Sequence, residues 1–146
     1  MQLTRAADFG VRAMVHLASL EPGTRVPLGA LSAAADVSPA FLSKVLQRLV
    51  RAGYVSSRRG RTGGFALVPR EISLTLLDII SALDGLPPLN DCLKTEDACL
   101  RRTWCGVYPV WQQAQAQLRA LMAAASLDSL VRDTAARRAA LGLGPL

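Results

Sequence analysis

Three cysteines, and no others in the chain, fall within one short stretch at Cys92, Cys99 and Cys105. Six residues separate the first pair and five the second, enough for a flexible loop to fold back and bring three sulfurs to one centre. Thiolate is the form that binds iron or zinc. Cys105 lies just ahead of Tyr108-Pro109, where the positive end of a helix dipole favours thiolate over thiol. An odd number of cysteines argues against a disulfide framework. Three donors leave a fourth position open. The single histidine, His16, pairs by spacing with Arg12 on the polar face of the first helix and reads as a surface residue. Asp8 stands differently, three and seven residues before Val11 and Val15, at the edge of that helix's apolar stripe. It is either a favourable charge in a first turn or a metal ligand, and the second role requires the N-terminal helix to reach the cysteine loop.

A second chemistry lies in the charge. The chain of 146 residues carries a formal +6. Lys44, Arg48, Arg51, Arg58, Arg59, Arg61 and Arg70 fall between Ser38 and Arg70 with no Asp or Glu among them, so this segment holds +7 and the rest of the chain about −1. A basic balance confined to one segment points to a polyanionic partner.

The elements that must position these groups follow from periodicity. Thr4 is a plausible N-cap for a helix to about Leu20, with Leu3, Ala7, Val11, Met14, Val15 and Ala18 as its apolar stripe. Glu21-Pro22-Gly23-Thr24 ends it. A short helix at about Leu28 to Ala35 follows Pro27, Asp36-Val37 makes a tight connection, and Ser38-Pro39 opens a third helix that stops at Gly53. Tyr54–Arg58 and Phe65–Val68 read as short strands joined by a glycine-rich tip at Arg59-Gly60-Arg61-Thr62-Gly63-Gly64. A helix is expected at about Ser73 to Leu83, an irregular stretch from Leu86 to Gly106, a long helix from Tyr108-Pro109 to about Ala125, and a shorter one from Asp128 to Ala140.

Two helices joined by a tight turn and followed by a hairpin is the order of a winged helix-turn-helix, in which the second helix enters the DNA major groove. The fold class expected is therefore mainly α with a small β-hairpin wing and a long C-terminal dimerisation helix. Residues 1–85 form the DNA-binding domain, 86–106 the cysteine loop and 107–146 the dimerisation helix and tail. Leu42, Val45, Leu46 and Leu49 make the inward stripe of the third helix and leave Ser43, Lys44, Gln47, Arg48 and Arg51 outward. Gln47 and Arg48 suit base edges, while Ser38, Ser43 and Lys44 suit phosphates. At the wing, Gly63 and its neighbouring glycines let backbone approach phosphate, Arg59 and Arg61 project charge, and Arg61 is the candidate for the minor groove. On the long helix, Val107, Trp111, Ala114, Leu118, Leu121 and Ala125 recur at the 3.5-residue period of a coiled coil. A homodimer through that seam would present two recognition helices to a palindromic duplex.

These segments resemble the Rrf2 family of winged-helix transcription regulators. The resemblance rests on Leu3-Thr4-Arg5-Ala6-Ala7-Asp8-Phe9-Gly10, on Ser38-Pro39-Ala40-Phe41-Leu42-Ser43-Lys44-Val45-Leu46, on Gly60-Arg61-Thr62-Gly63-Gly64-Phe65 with Leu67 and Pro69, and on the three-cysteine loop. Within the family the chain is most similar to the iron–sulfur branch and its nitric-oxide-sensing NsrR type. The resemblance implies a cluster bound by Cys92, Cys99 and Cys105, whose state sets DNA affinity, in a regulator acting as a repressor. IscR-type members carry a histidine shortly after the third cysteine, and Gly106-Val107-Tyr108 offers none. NsrR-type members use an N-terminal aspartate of the partner subunit, a position that Asp8 matches. This favours a 4Fe–4S cluster over 2Fe–2S, although the six-residue first gap departs from the tighter spacing common in the family.

Rival readings keep the fold and replace the sensor by thiol oxidation, by zinc on the same cysteines, or by IscR-type control of cluster assembly. An iron–sulfur enzyme or electron carrier is disfavoured because the sequence has no nucleotide-binding loop, no second cluster motif and no catalytic set around His16, so no catalytic residue is expected. A scaffold role for the long helix leaves the +7 segment unexplained. No apolar run is long enough to span a membrane and no secretory signal is evident, which leads us to expect a cytoplasmic protein.

Overall fold

Thr4 starts the first helix as a true cap: its backbone is extended and its hydroxyl accepts from the Ala7 amide at 3.3 Å. That satisfies one of the amides a helix start leaves unpaired. In the computed structural model, which describes residues 3–60 and 62–145, α1 spans Arg5–Ala18 and buries Ala7, Gly10, Ala13, Met14, Val15 and Leu17. Leu3, assigned to the apolar stripe by spacing, is exposed, because it precedes the cap and never enters the helical period.

Helix α2 (Leu28–Ala35) ends at Asp36, whose left-handed φ of 54° reverses the chain. A short polar side chain tolerates this conformation better than most, and the amides of Asp36 and Val37 return to the carbonyls of Ala33 and Ser32. Two residues later Ser38 caps α3 (Pro39–Arg51), with Pro39 in the first turn, where a missing amide costs nothing. Strands β1 (Val55–Arg58) and β2 (Gly64–Leu67) pair antiparallel, with Val55 opposite Leu67 and Arg58 opposite Gly64. A further rung comes from Val26, which exchanges both backbone bonds with Phe65 at 2.9 Å.

Helix α4 spans Leu76–Asp84, starting later than the expected Ser73. The backbone ahead of it is already engaged: the Leu74 carbonyl accepts from the Leu127 amide, and the Leu76 amide donates to the Ala125 carbonyl. Thr75 and Asp78 then close a reciprocal capping box. Beyond the irregular stretch, α5 covers Tyr108–Ala124 and α6 covers Leu127–Ala140.

Met14, Leu31, Leu42, Leu46, Leu49 and Ile79 are fully enclosed around α1, so the three N-terminal helices and α4 share one core. Leu127 lies in the same cluster, which brings α6 back onto the domain. The architecture is mainly helical with a two-stranded wing, the order expected of a winged helix-turn-helix. No helix among the described residues is long and apolar enough to cross a membrane.

Candidate nucleic-acid interface and thiol loop

Helix α3 is strongly two-faced. Leu42, Val45, Leu46 and Leu49 are buried, and Lys44, Gln47, Arg48 and Arg51 are exposed. Ser38 is exposed but its hydroxyl is occupied in capping, accepting from the Phe41 amide at 3.4 Å. Ser43 is half-buried at the margin of the polar face. Lys44, Gln47 and Arg51 recur at three and four residues and therefore line one strip. Arg48, four residues from Lys44 and three from Arg51, lies on the same strip on the side of Val45, and its guanidinium Nη1 donates to the Leu83 carbonyl at 2.8 Å. Of the cations expected to face a polyanion, Arg70 is also engaged: it donates to the Gly53 carbonyl at 2.6 Å and lies 4.9 Å over the Tyr54 ring. Among the described residues, Lys44, Arg51, Arg58 and Arg59 have no ion-pair partner, and the nearest acids in sequence lie outside the segment. Their field is directed outward.

The wing carries Arg58 and Arg59 exposed at the end of β1. Gly63 donates to the Gly60 carbonyl at 2.9 Å, and a Cβ there would collide with the Arg58 carbonyl, so only glycine closes this tip. Arg61 lies outside the described residues. Arg25, which composition did not single out, braces the wing from below. Its two terminal nitrogens donate to the Gly64 carbonyl and the Ser56 hydroxyl, each at 3.3 Å. The signal that could have revealed it was short: Thr24-Arg25-Val26 has strand character, and Val26 proves to be the extra rung.

Cys92, Cys99 and Cys105 are all half-buried and none is in a disulfide. Cys92 sits in a single 3-10 turn, Asp91–Leu93, and the rest of the loop is a succession of turns. Lys94 bonds Asp91 at 2.6 Å and holds its carboxyl below the usual carboxylate value, first by that hydrogen bond and then by charge. Among the described residues no three His, Cys, Asp or Glu side chains are gathered closely enough to hold an ion. The three thiols expected to converge do not form a ready-made site among the described residues. As a donor set they suit iron or zinc, soft thiolates being preferred ligands for both, but the loop must close to use them.

Asp8 is exposed rather than on the margin of the core, and forms a 2.9 Å ion pair with Arg12 one turn on. Arg12, assigned by spacing to His16, is also 5.2 Å from the Phe9 ring, which meets Phe41 edge-on at 5.9 Å. The apolar stripe expected on α5 does not stay together: Leu118 turns inward and Val107 and Leu121 outward, each joined by a residue outside the stripe, Met122 and Val110. Leu118 and Met122 pack on Ala7 and Ile80, whereas Val107, Val110 and Leu121 are 51%, 58% and 69% exposed. Trp104 and Leu100, on the loop before it, are exposed as well. Val107 and Leu121 of the expected seam thus face outward, together with Val110, while Ala114 is half-buried.

A family model described as Rrf2, iron-dependent transcriptional regulator, matches residues 3–133. The chain belongs to the Rrf2 family. Rrf2 proteins are transcription regulators that bind DNA and are typically dimeric. Among solved structures the chain is similar to CymR (YrzC), the global cysteine regulator of B. subtilis, at 22% identity and a TM-score of 0.73, covering 90% of this chain and 97% of that one. It is similar to T. potens IscR at 22% identity and a TM-score of 0.72, covering 92% and 88%. Staphylococcus aureus CymR matches at 25% identity and 0.66, covering 88% and 96%. At such identities the structures establish a common fold.

Proposed function

We propose that this Rrf2-family regulator is a homodimer whose affinity for a palindromic operator is set by an iron–sulfur cluster on Cys92, Cys99 and Cys105, and that it acts as a repressor responding to nitric oxide or redox state. The observation that carries this reading is the donor set: three unpaired, half-buried thiols on the single loop that joins α4 to α5. Asp8 of the partner subunit is the fourth ligand in this reading, and 4Fe–4S is favoured over 2Fe–2S. Asp8 would first have to leave Arg12, an exposed pair whose loss costs little. A bound cluster supplies a centre that reacts with nitric oxide and oxidants. The chain's own part is mechanical: closure of the loop fixes α5 and the partner's α1, and with them the spacing of two α3 helices.

On DNA, Gln47 reads base edges from the centre of α3, Lys44 and Arg51 flank it, and Ser43 and the N-terminal turn at Ser38 take phosphates. Arg59, Arg61 and the Gly63 backbone approach the duplex from the wing. Arg61→Ala is expected to lower the slope of log affinity against log salt by about one unit, measured by titration at several salt concentrations; an unchanged slope removes the contact.

The dimer seam is the exposed face of α5. Leu121→Glu is expected to weaken self-association at least about 100-fold, because an unpaired carboxylate would be buried at the seam. Sedimentation at graded concentrations reads this directly, and an unshifted dimer would move the interface elsewhere.

A second reading rests on the same free thiols. In it the same face binds DNA, and oxidation of the thiols or zinc binding replaces the cluster; one similar structure is described as the oxidized form of S. aureus CymR. Iron, zinc and acid-labile sulfide analysis of anaerobically purified protein, followed by operator binding with and without nitric oxide, separates the readings. Iron with equivalent sulfide, and affinity that falls with nitric oxide, supports the first; zinc or metal-free thiols whose oxidation changes affinity supports the second.

A further inference from the structure

The last turn of α4 is held from two sides. Its Leu83 carbonyl is among those left without a partner at a helix end, and the Arg48 guanidinium of α3 donates to it at 2.8 Å. A cation in this position is favoured both by the bond and by the negative end of the helix dipole. On the other side Asp84 accepts from the Thr4 amide at 2.9 Å and the Thr4 hydroxyl at 2.6 Å. The packing between these ties is close. Leu83 is buried against Gly10 of α1, where an added Cβ would strike it, and Val45 of α3 meets the same spot.

The chain leaves this turn at Gly85, whose positive φ of 68° ends the helix, and runs seven residues to Cys92. Along that run it is fastened to α5: Arg119 donates to the Leu86 carbonyl at 3.5 Å and Gln115 accepts from the Leu89 amide at 2.9 Å. The run from α4 to the thiol loop is thus fastened to α5, and among the described residues the hydrogen bond from the end of α4 to α3 is that of Arg48.

We infer that Arg48 is a positioning residue, which sets the pose of α3 from the end of α4 and so couples the thiol loop to DNA affinity, rather than a side chain that reads a base. This rests on the reading of α3 as the recognition helix and, for the coupling, on control by the loop. Arg48 lies on the side of the exposed strip that faces Val45, and its guanidinium already donates to the Leu83 carbonyl; among the described residues Gln47 and Lys44 carry no such tie.

The test uses duplexes recovered by the full-length wild-type protein from a random library. Binding of wild type, Arg48→Met, Arg48→Lys and Gln47→Ala is measured with loop-bound metal or cluster present and after its removal, against a panel of single-base-pair variants. For Arg48→Met the expected result is a uniform loss of about tenfold across the panel with base preferences unchanged. The ratio between loaded and stripped protein should fall from the wild-type value, about five- to 150-fold for coupling of ordinary strength, to below about threefold. Arg48→Lys, which keeps a charged donor for the carbonyl but not the planar guanidinium fork, is expected to restore most of the affinity. Gln47→Ala should instead relax preference at one position and leave the ratio intact. Loss confined to one base pair in Arg48→Met, unrescued by lysine, overturns the inference. If Arg48→Met fails to fold by circular dichroism, Arg48→Lys carries the decision: retained base preference supports the strut, lost preference at one position overturns it. A wild-type ratio of one would reject control by the loop, while the base-pair panel still decides whether Arg48 positions or reads.

Discussion

Cys99→Ala is expected to leave anaerobically purified protein without visible absorbance and to change operator affinity about five- to 150-fold, or about 1–3 kcal/mol. The cysteine is the middle of three, on a loop whose helical turn is Asp91–Leu93, and its removal would leave the proposed cluster with two thiol ligands. The unbound loop has little regular structure to hold it, so its constraint on α5 and on the end of α4 should be lost together. Melting of the domain should change little, since Cys99 belongs to no part of the core. Absorbance, iron content and operator binding on one preparation check all three parts. Retained absorbance with normal iron would exclude Cys99 as a ligand. Unchanged affinity with lost iron would leave the cluster without a regulatory role.

The second large effect concerns stability. Gly64→Ala is expected to destabilise the domain by roughly 3–5 kcal/mol, combining backbone strain with loss of the two bonds to Val26. Gly64 has a φ of 142°, and a Cβ there would stand 2.5 Å from the Val26 carbonyl oxygen and 2.7 Å from its carbon. Both are backbone atoms of the rung that pairs with Phe65, and neither can swing aside as a side-chain tip would. The consequence reaches the core, because Val26, Phe65 and Ala66 are all buried. Gly60→Ala is the control. Its φ of 105° is strained for alanine, but nothing lies within 4 Å of the added carbon, so about 1–3 kcal/mol is expected. Urea unfolding of the two variants should differ clearly in midpoint. Equal midpoints would mean that the Val26 rung adds nothing to the fold.

Much of the architecture is readable along the chain because its signals are local. Ser38-Pro39 and Thr4 are caps by chemistry alone, and both act as such. The inward stripe of α3 needs only the helical period. The glycine-rich tip at residues 60–64 is a turn wherever it is placed. The accumulation of cations between Ser38 and Arg70 is equally plain, since it requires only counting.

What local signals could not assign is the partner of each side chain. Arg48 and Gln47 are neighbours with similar hydrogen-bonding capacity, yet one is bound to the Leu83 carbonyl 35 residues away and the other is not. Arg25 is one cation in a polar turn until Gly64 and Ser56 arrive beside it. Asp8 is equally consistent in sequence with a cap charge and a ligand, and the fold places it outward on Arg12. Leu118 and Leu121 belong to one stripe of α5 in a linear reading, but α4 and α1 take Leu118 with Met122 and leave Leu121 outward with Val107 and Val110.

Sequence alone thus determined the order of helices and strands, the caps and turns, the location of excess charge and the clustering of thiols, because propensity, φ preference and ionisation act within a few residues. Tertiary structure alone decided which cations face outward and which face of α5 is left open. Those outcomes depend on which surfaces meet when distant segments pack, and no short-range rule contains that information.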